Sequence, residues 1–159
     1  MVIHCTELPD LQTAWEYGEK IMHVGSATGN CGHFYIDRDG RTEQWAPIER
    51  VAHHVKDHNH NTIGIELVNL GRYPNWYHSG HQHMSEPYPA AQIDALAALL
   101  GYLATQLPKL HWITGHENLD TTVLSATDNP DVLVLRKMDP GPQFPWADLM
   151  QVIELKQPV

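Results

Sequence analysis

The residues best suited to chemistry in this chain are a buried-looking carboxylate, a closely spaced lysine and aspartate, and a few of its many histidines. Glu66 lies inside Thr62-Ile63-Gly64-Ile65-Glu66-Leu67-Val68. A carboxylate within an apolar strand must be paired or protonated, because burial penalises its charge. Two readings stay open: a satisfied Glu at a sheet surface, or a general base of raised pKa in a cleft above the sheet. Lys137 and Asp139 sit in Lys137-Met138-Asp139-Pro140-Gly141-Pro142. Pro140 biases Asp139 towards an extended backbone, where residues i and i+2 face the same way. The pair therefore either points into one site or forms a surface salt bridge. His116 follows the apolar run Leu110–Thr114, and His4 ends the first one. Strand ends in layered α/β folds often line sites, although either residue alone could be a hydrogen-bonded structural histidine. The chain has 12 histidines in 159 residues, and no spacing selects these two, because ligands gathered by tertiary structure leave no local signature.

The elements that must position these groups can be read from periodicity. Met1–Cys5 is a short β-type run. Asp10–Met22 carries Leu11, Ala14, Trp15, Gly18, Ile21 and Met22 on one helical face. Gly25–Gly32 reads as a loop, and His33–Asp37 with Thr42–Ala46 as a hairpin turning through Asp39-Gly40. Thr62–Val68 is a buried strand with Ile63, Ile65 and Leu67 on one side and Glu66 on the other. Leu70–Pro89 is irregular. Ala90–Leu107 is the strongest helix, between Pro89 and Pro108. Leu110–Thr114 is a second buried-strand candidate, Asn118–Val134 a loop with an apolar turn near Val132–Leu135, and Trp146–Leu155 a closing helix. Mixed strands and helices predict an α/β layered fold, and 159 residues fit one domain.

Composition excludes several roles. The formal net charge is −9, from 10 Lys+Arg against 19 Asp+Glu, which argues against binding nucleic acid or an anionic membrane surface. Two cysteines, Cys5 and Cys31, exclude a disulfide-dense scaffold and a four-cysteine zinc module. They allow one disulfide or two free thiols. The longest apolar stretch, Ala95–Leu100, is too short to span a bilayer. The opening Met1-Val2-Ile3-His4 lacks the features of a signal peptide, so a cytoplasmic location, or export by a leaderless route, is expected.

Val2-Ile3-His4-Cys5-Thr6 and Gly32-His33-Phe34-Tyr35-Ile36-Asp37-Arg38-Asp39-Gly40 resemble the type 2 N-acetylmuramoyl-L-alanine amidases, a family that takes in AmpD-like enzymes and peptidoglycan recognition proteins. Ile63-Gly64-Ile65-Glu66-Leu67, Gly115-His116-Glu117 and Lys137-Met138-Asp139-Pro140-Gly141-Pro142-Gln143-Phe144-Pro145-Trp146 continue the resemblance in order. It covers nearly the whole chain and implies a single domain over 1–159, with a central mixed β-sheet flanked by helices and a zinc site in a cleft at one end of the sheet. It implies His4, His116 and Asp139 as Zn²⁺ ligands, with Glu66 as catalytic carboxylate and Lys137 as oxyanion partner. Some amidases of the family use a cysteine as third ligand, and others have a tyrosine beside the hairpin histidine. Here Asp139 and Gly32 stand in those places, as in the AmpD-like branch. The implied reaction is hydrolysis of the amide between the lactyl group of N-acetylmuramic acid and L-alanine, in peptidoglycan or soluble muropeptides. The rival readings are a non-catalytic peptidoglycan-binding module and a phage-type or antibacterial lytic enzyme. His33 is expected to order the hairpin, Cys5 to be a packed thiol, and the loop histidines His53, His54, His58, His60, His78, His81 and His83 to form no second metal site.

Overall fold

A computed structural model describes residues 1–158. Its centre is a five-stranded sheet of order β3-β2-β4-β1-β5. The strands are β1 (Val2–Cys5), β2 (Phe34–Ile36), β3 (Thr42–Gln44), β4 (Gly64–Leu67) and β5 (Thr114–Gly115). Every pairing is parallel except the β2–β3 hairpin. Gly40 closes that hairpin at φ +88°, a conformation that other residues reach only with strain.

Alternation along the strands decides which face does what. Ile3, Ile36, Ile65 and Leu67 point to one face and pack against Leu96, Leu100 and Leu103 of α2 (Ala90–Gln106) and Leu149 of α3 (Trp146–Val152). Each is essentially inaccessible to water, and burying such a side chain contributes roughly 1.5–3 kcal/mol. Gln92 of α2 is also fully buried, because its amide donates to Ile36 O and Val68 O and so ties the helix to the ends of two strands. Since the odd residues of β1 and β4 face this core, His4 and Glu66 must face the other way. On that side α1 (Leu11–Gly18) packs Leu11 and Ala14 against Tyr35 and Val68.

Four expectations need correction. The first helix stops at Gly18 rather than Met22. Asp10 caps its start by accepting from Thr13 N, while Ile21 and Met22 lie exposed in a turn where Met22 N donates to Thr28 O. The last helix ends at Val152 rather than Leu155. The strand expected over Leu110–Thr114 is confined to Thr114–Gly115. Its register pairs Val2 with Thr114 and Ile3 with Gly115, and Trp112 instead bridges Lys156. The region expected to be loop contains an antiparallel pair, β6 (Val123–Ser125) and β7 (Leu133–Leu135). Its alternation is visible only at Val134, the one buried residue among the six.

Candidate active site

His4 lies in the middle of three adjacent strands. In the β1–β4 register it is the Cα partner of Glu66. On its other side Ile3 pairs with Gly115, so the next residue, His116, begins a turn of 3₁₀ helix level with His4. Asp139 arrives on the segment after β7. Glu117 N donates to Asp139 O, and Gly141 N donates to the Glu117 carboxylate, so that turn holds the incoming loop.

The three side chains converge. His4 Nδ1 is 2.9 Å from His116 Nδ1 and 2.9 Å from Asp139 Oδ2, and His116 Nδ1 is 3.1 Å from the same oxygen. Among the described residues this is the one group of three or more His, Cys, Asp or Glu side chains whose donor atoms lie within 4.8 Å of one another. All three residues are 2% exposed. Burial lowers the His4 pKa to about 4, with His116 and Lys137 acting in the same direction and Asp139 opposing. Asp139 lies well below the usual carboxylate range: burial opposes this, but Lys137 and the two imidazoles prevail. The set presents two imidazole nitrogens and a carboxylate oxygen to one point. Asp139 Oδ1 and His116 Nε2 are buried with no hydrogen-bond partner. A buried divalent cation fits this donor set, which matches the two-nitrogen, one-oxygen ligation of catalytic zinc sites.

Glu66 Oε1 is 4.0 Å from His4 Nδ1, and its side chain is 14% exposed. Burial pushes its pKa up to about 8; Asp139 adds to this and Lys137 opposes it. The strand accepts this side chain because residue 32 is glycine: a Cβ there would lie 2.8 Å from Glu66 Cγ. Lys137 lines the same cleft. Burial pulls its pKa down, but Asp139, Glu7 and Glu66 outweigh this and raise it. The cleft has a volume of about 820 Å³, and Tyr17, Trp76 and Tyr77 line it together with the three ligand candidates.

A family model described as N-acetylmuramoyl-L-alanine amidase matches residues 1–142. The chain belongs to this amidase family. Among curated amidases it is similar to the N-acetylmuramoyl-L-alanine amidase AmiD of Escherichia coli (strain K12), 34% identical over 93 residues, covering 58% of this chain and 28% of AmiD. It is also similar to the 1,6-anhydro-N-acetylmuramyl-L-alanine amidase AmpD of Citrobacter freundii, 32% identical over 124 residues, covering 72% of this chain and 52% of AmpD. The chain thus spans about half or less of the length of these relatives. A solved structure of E. coli AmiD with the substrate anhydro-N-acetylmuramic acid-L-Ala-D-gamma-Glu-L-Lys superposes with TM-score 0.67 at 25% identity, covering 94% of this chain and 55% of that one.

All five site residues named from the amidase resemblance reach this one cleft. His33 stays outside the ligand cluster: its Nδ1 accepts from Gly64 N and its Nε2 donates to Arg50 O, so it ties the hairpin to β4. Cys5 is a buried free thiol, and Cys31 is also free. His23 stacks on His53, and His78 meets His81 edge-on. Two groups went unrecognised in the sequence. One is His54, whose Nδ1 lies 3.0 Å from His4 Nε2. The other is the Glu7–Arg72 pair. Arg72 Nε and one terminal nitrogen donate to the Glu7 carboxylate, and its terminal nitrogens also donate to Leu135 O and Arg136 O. That clamp fixes the main chain leading into Lys137. The glycine of Ile63-Gly64-Ile65 was the available signal for His54, because a Cβ at residue 64 would lie 2.5 Å from the His54 ring. Among the described residues no helix is long and apolar enough to cross a membrane.

Proposed function

We propose that the chain, over 1–159, is a zinc-dependent N-acetylmuramoyl-L-alanine amidase domain that cleaves the amide between the lactyl group of N-acetylmuramic acid and L-alanine. The observation that carries this is the convergence of His4, His116 and Asp139 beside Glu66, in a cleft that Lys137 also lines. His4, His116 and Asp139 would hold the zinc. Bound zinc supplies Lewis-acid polarisation of an amide carbonyl and acidifies water. Glu66 takes the proton of the attacking water, and its raised pKa makes it a stronger base than an exposed carboxylate. As the new C–O bond forms, negative charge gathers on the former carbonyl oxygen, and the Lys137 ammonium stabilises it. Glu66 then passes its proton to the departing nitrogen as the C–N bond breaks. The products are a muramyl carboxylic acid and a stem peptide with a free L-alanine amine.

The substrate class follows from family membership and from the cleft, whose volume suits a ligand of muropeptide size. AmiD is a relative whose solved complex contains an anhydro-muropeptide, which favours soluble fragments as substrate. The test incubates zinc-loaded protein with soluble anhydro-muropeptide and, separately, with insoluble sacculus, and follows release of the stem peptide by mass. Cleavage at the lactyl–alanine amide supports the reading, and the faster of the two substrates separates fragment turnover from wall lysis. Binding of either without cleavage would make the chain a recognition module instead.

A further inference from the structure

We infer that Thr62 and His54 form a hydrogen-bond relay that accepts the Nε2 proton of His4 and so turns Nδ1, as the ligating lone pair, towards the other metal-ligand candidates. The inference rests on the reading of His4 as a metal ligand.

Thr62 Oγ1 is 2.7 Å from His58 O, a carbonyl that can only accept, so the hydroxyl proton is committed there. The same oxygen is 3.3 Å from His54 Nε2 and must therefore accept from it. His54 is buried between His4 and His33, with no carboxylate in hydrogen-bond contact. It is a neutral ring whose single proton sits on Nε2, and its Nδ1 is an acceptor. His4 Nε2 faces that acceptor at 3.0 Å, with the two rings perpendicular, so His4 donates through Nε2. The remaining nitrogen, His4 Nδ1, then offers its lone pair to a metal ion shared with Asp139 Oδ2 and His116 Nδ1; without an ion, Asp139 Oδ2 at 2.9 Å competes for a proton there.

The opposite assignment leaves the outer end short of a proton. If His4 Nδ1 donated to Asp139, His54 Nδ1 would donate to His4 and His54 Nε2 would need the Thr62 proton. Thr62 Oγ1 and His58 O would then lie 2.7 Å apart with no proton between them. The backbone holds the relay in place. His54 N and Val55 N both donate to Asn59 Oδ1, and Gly64 leaves the space that the His54 ring fills. The other histidine of the cluster has no such support, since His116 Nε2 is buried without a partner. Partners of this kind orient a ligating imidazole and raise its basicity, and losing one commonly weakens metal binding about 10–100-fold.

The test uses the full chain. Long-range ¹⁵N–¹H spectra should show His54 protonated at Nε2 and bare at Nδ1, and His4 protonated at Nε2 in the zinc-loaded protein. Competition against a chelator should show His54→Leu binding zinc about 10–100-fold more weakly. Thr62→Val should weaken it less and disturb the His54 tautomer, and Thr62→Ser should restore both. A His54 proton on Nδ1 or wild-type zinc affinity in His54→Leu would each overturn the relay. Should His54→Leu not fold, the wild-type spectra and the Thr62 pair decide. If the wild-type chain binds no zinc, the metal reading fails, while the spectra still decide the His54 tautomer.

Discussion

His4 and Glu66 are Cα partners across two parallel strands, and His4 Nδ1 stands 4.0 Å from Glu66 Oε1. The register that places them together is set on the opposite face, where Ile3 and Ile65 are also partners and both are fully buried. A slip of one residue would turn these isoleucines to the cleft and the histidine and carboxylate into the core. The spacing between candidate ligand and candidate base is therefore as robust as the core itself.

Glu66→Gln keeps the shape of the side chain and removes its basicity. The variant should bind zinc and muropeptide as wild type does and turn over about 10²–10⁴-fold more slowly. The acid limb of the rate profile should disappear with the carboxylate, because a general base works only above its pKa. Steady-state kinetics across pH check both points, and a near wild-type rate would return Glu66 to a structural role.

The same residue makes stability depend on pH in the metal-free protein. Its pKa is raised from 4.5 to about 8 on folding, so between these values the folded state holds a proton that the unfolded state has lost. Stability from this group is complete below pH 4.5 and falls as pH rises, at up to about 1.4 kcal/mol per pH unit. Glu66→Gln lacks this loss. Urea unfolding of both proteins from pH 5 to 8 should show the variant gaining steadily on wild type, whereas a constant difference would mean that Glu66 ionises normally.

Metal content separates the clustered histidines from the rest. His116→Ala should lose stoichiometric zinc and activity together. The triple change of His78, His81 and His83 to Ala should leave both near wild type, because those residues join no three-ligand group. Elemental analysis after dialysis reads the outcome. Loss of half the zinc from the triple variant would show that the ligands lie elsewhere.

Lys137→Ala should keep its zinc, change KM modestly and lower kcat by roughly 10²–10³-fold, the usual effect of removing one oxyanion partner. Only its interaction with the developing oxyanion grows along the reaction, so only that interaction can raise the rate. Lys137→Arg should rescue incompletely, because a planar guanidinium cannot place its charge at the same point. Zinc loss with full turnover of the residual loaded enzyme would limit Lys137 to holding Asp139.

How far the site could be read in advance follows the range of the interactions. The alternation of Ile63, Ile65 and Leu67 shows which side Glu66 must take, and the i, i+2 spacing of Lys137 and Asp139 shows that they can share a site. These are local periods. Nothing local joins His4 to His116, 112 residues apart, and the family resemblance alone singled them out. His54 escaped because its partner lies 50 residues away and its neighbour His53 is surface-like. The β6–β7 pair escaped because a hairpin with one buried side chain carries almost no hydrophobic signal.

Arg72 is the least visible of these residues in the sequence, and it tests how the loop half of the site is held. Its side chain is fully buried against the Glu7 carboxylate, and its remaining donors reach Gln82, Leu135 O and Arg136 O. Removing one partner of such a pair strands the other charge and typically costs about 3–5 kcal/mol. Arg72→Ala should therefore melt far earlier than wild type. Arg72→Lys keeps the charge but has a single nitrogen for five acceptors, so the chain before Lys137 loosens. That variant should keep zinc, since His4 and His116 lie outside the clamp and Glu117 N holds Asp139 O, while its kcat falls with the loss of Lys137 alignment. Zinc titration and kcat on the same preparation check this: full turnover in Arg72→Lys would show that Lys137 is positioned without it.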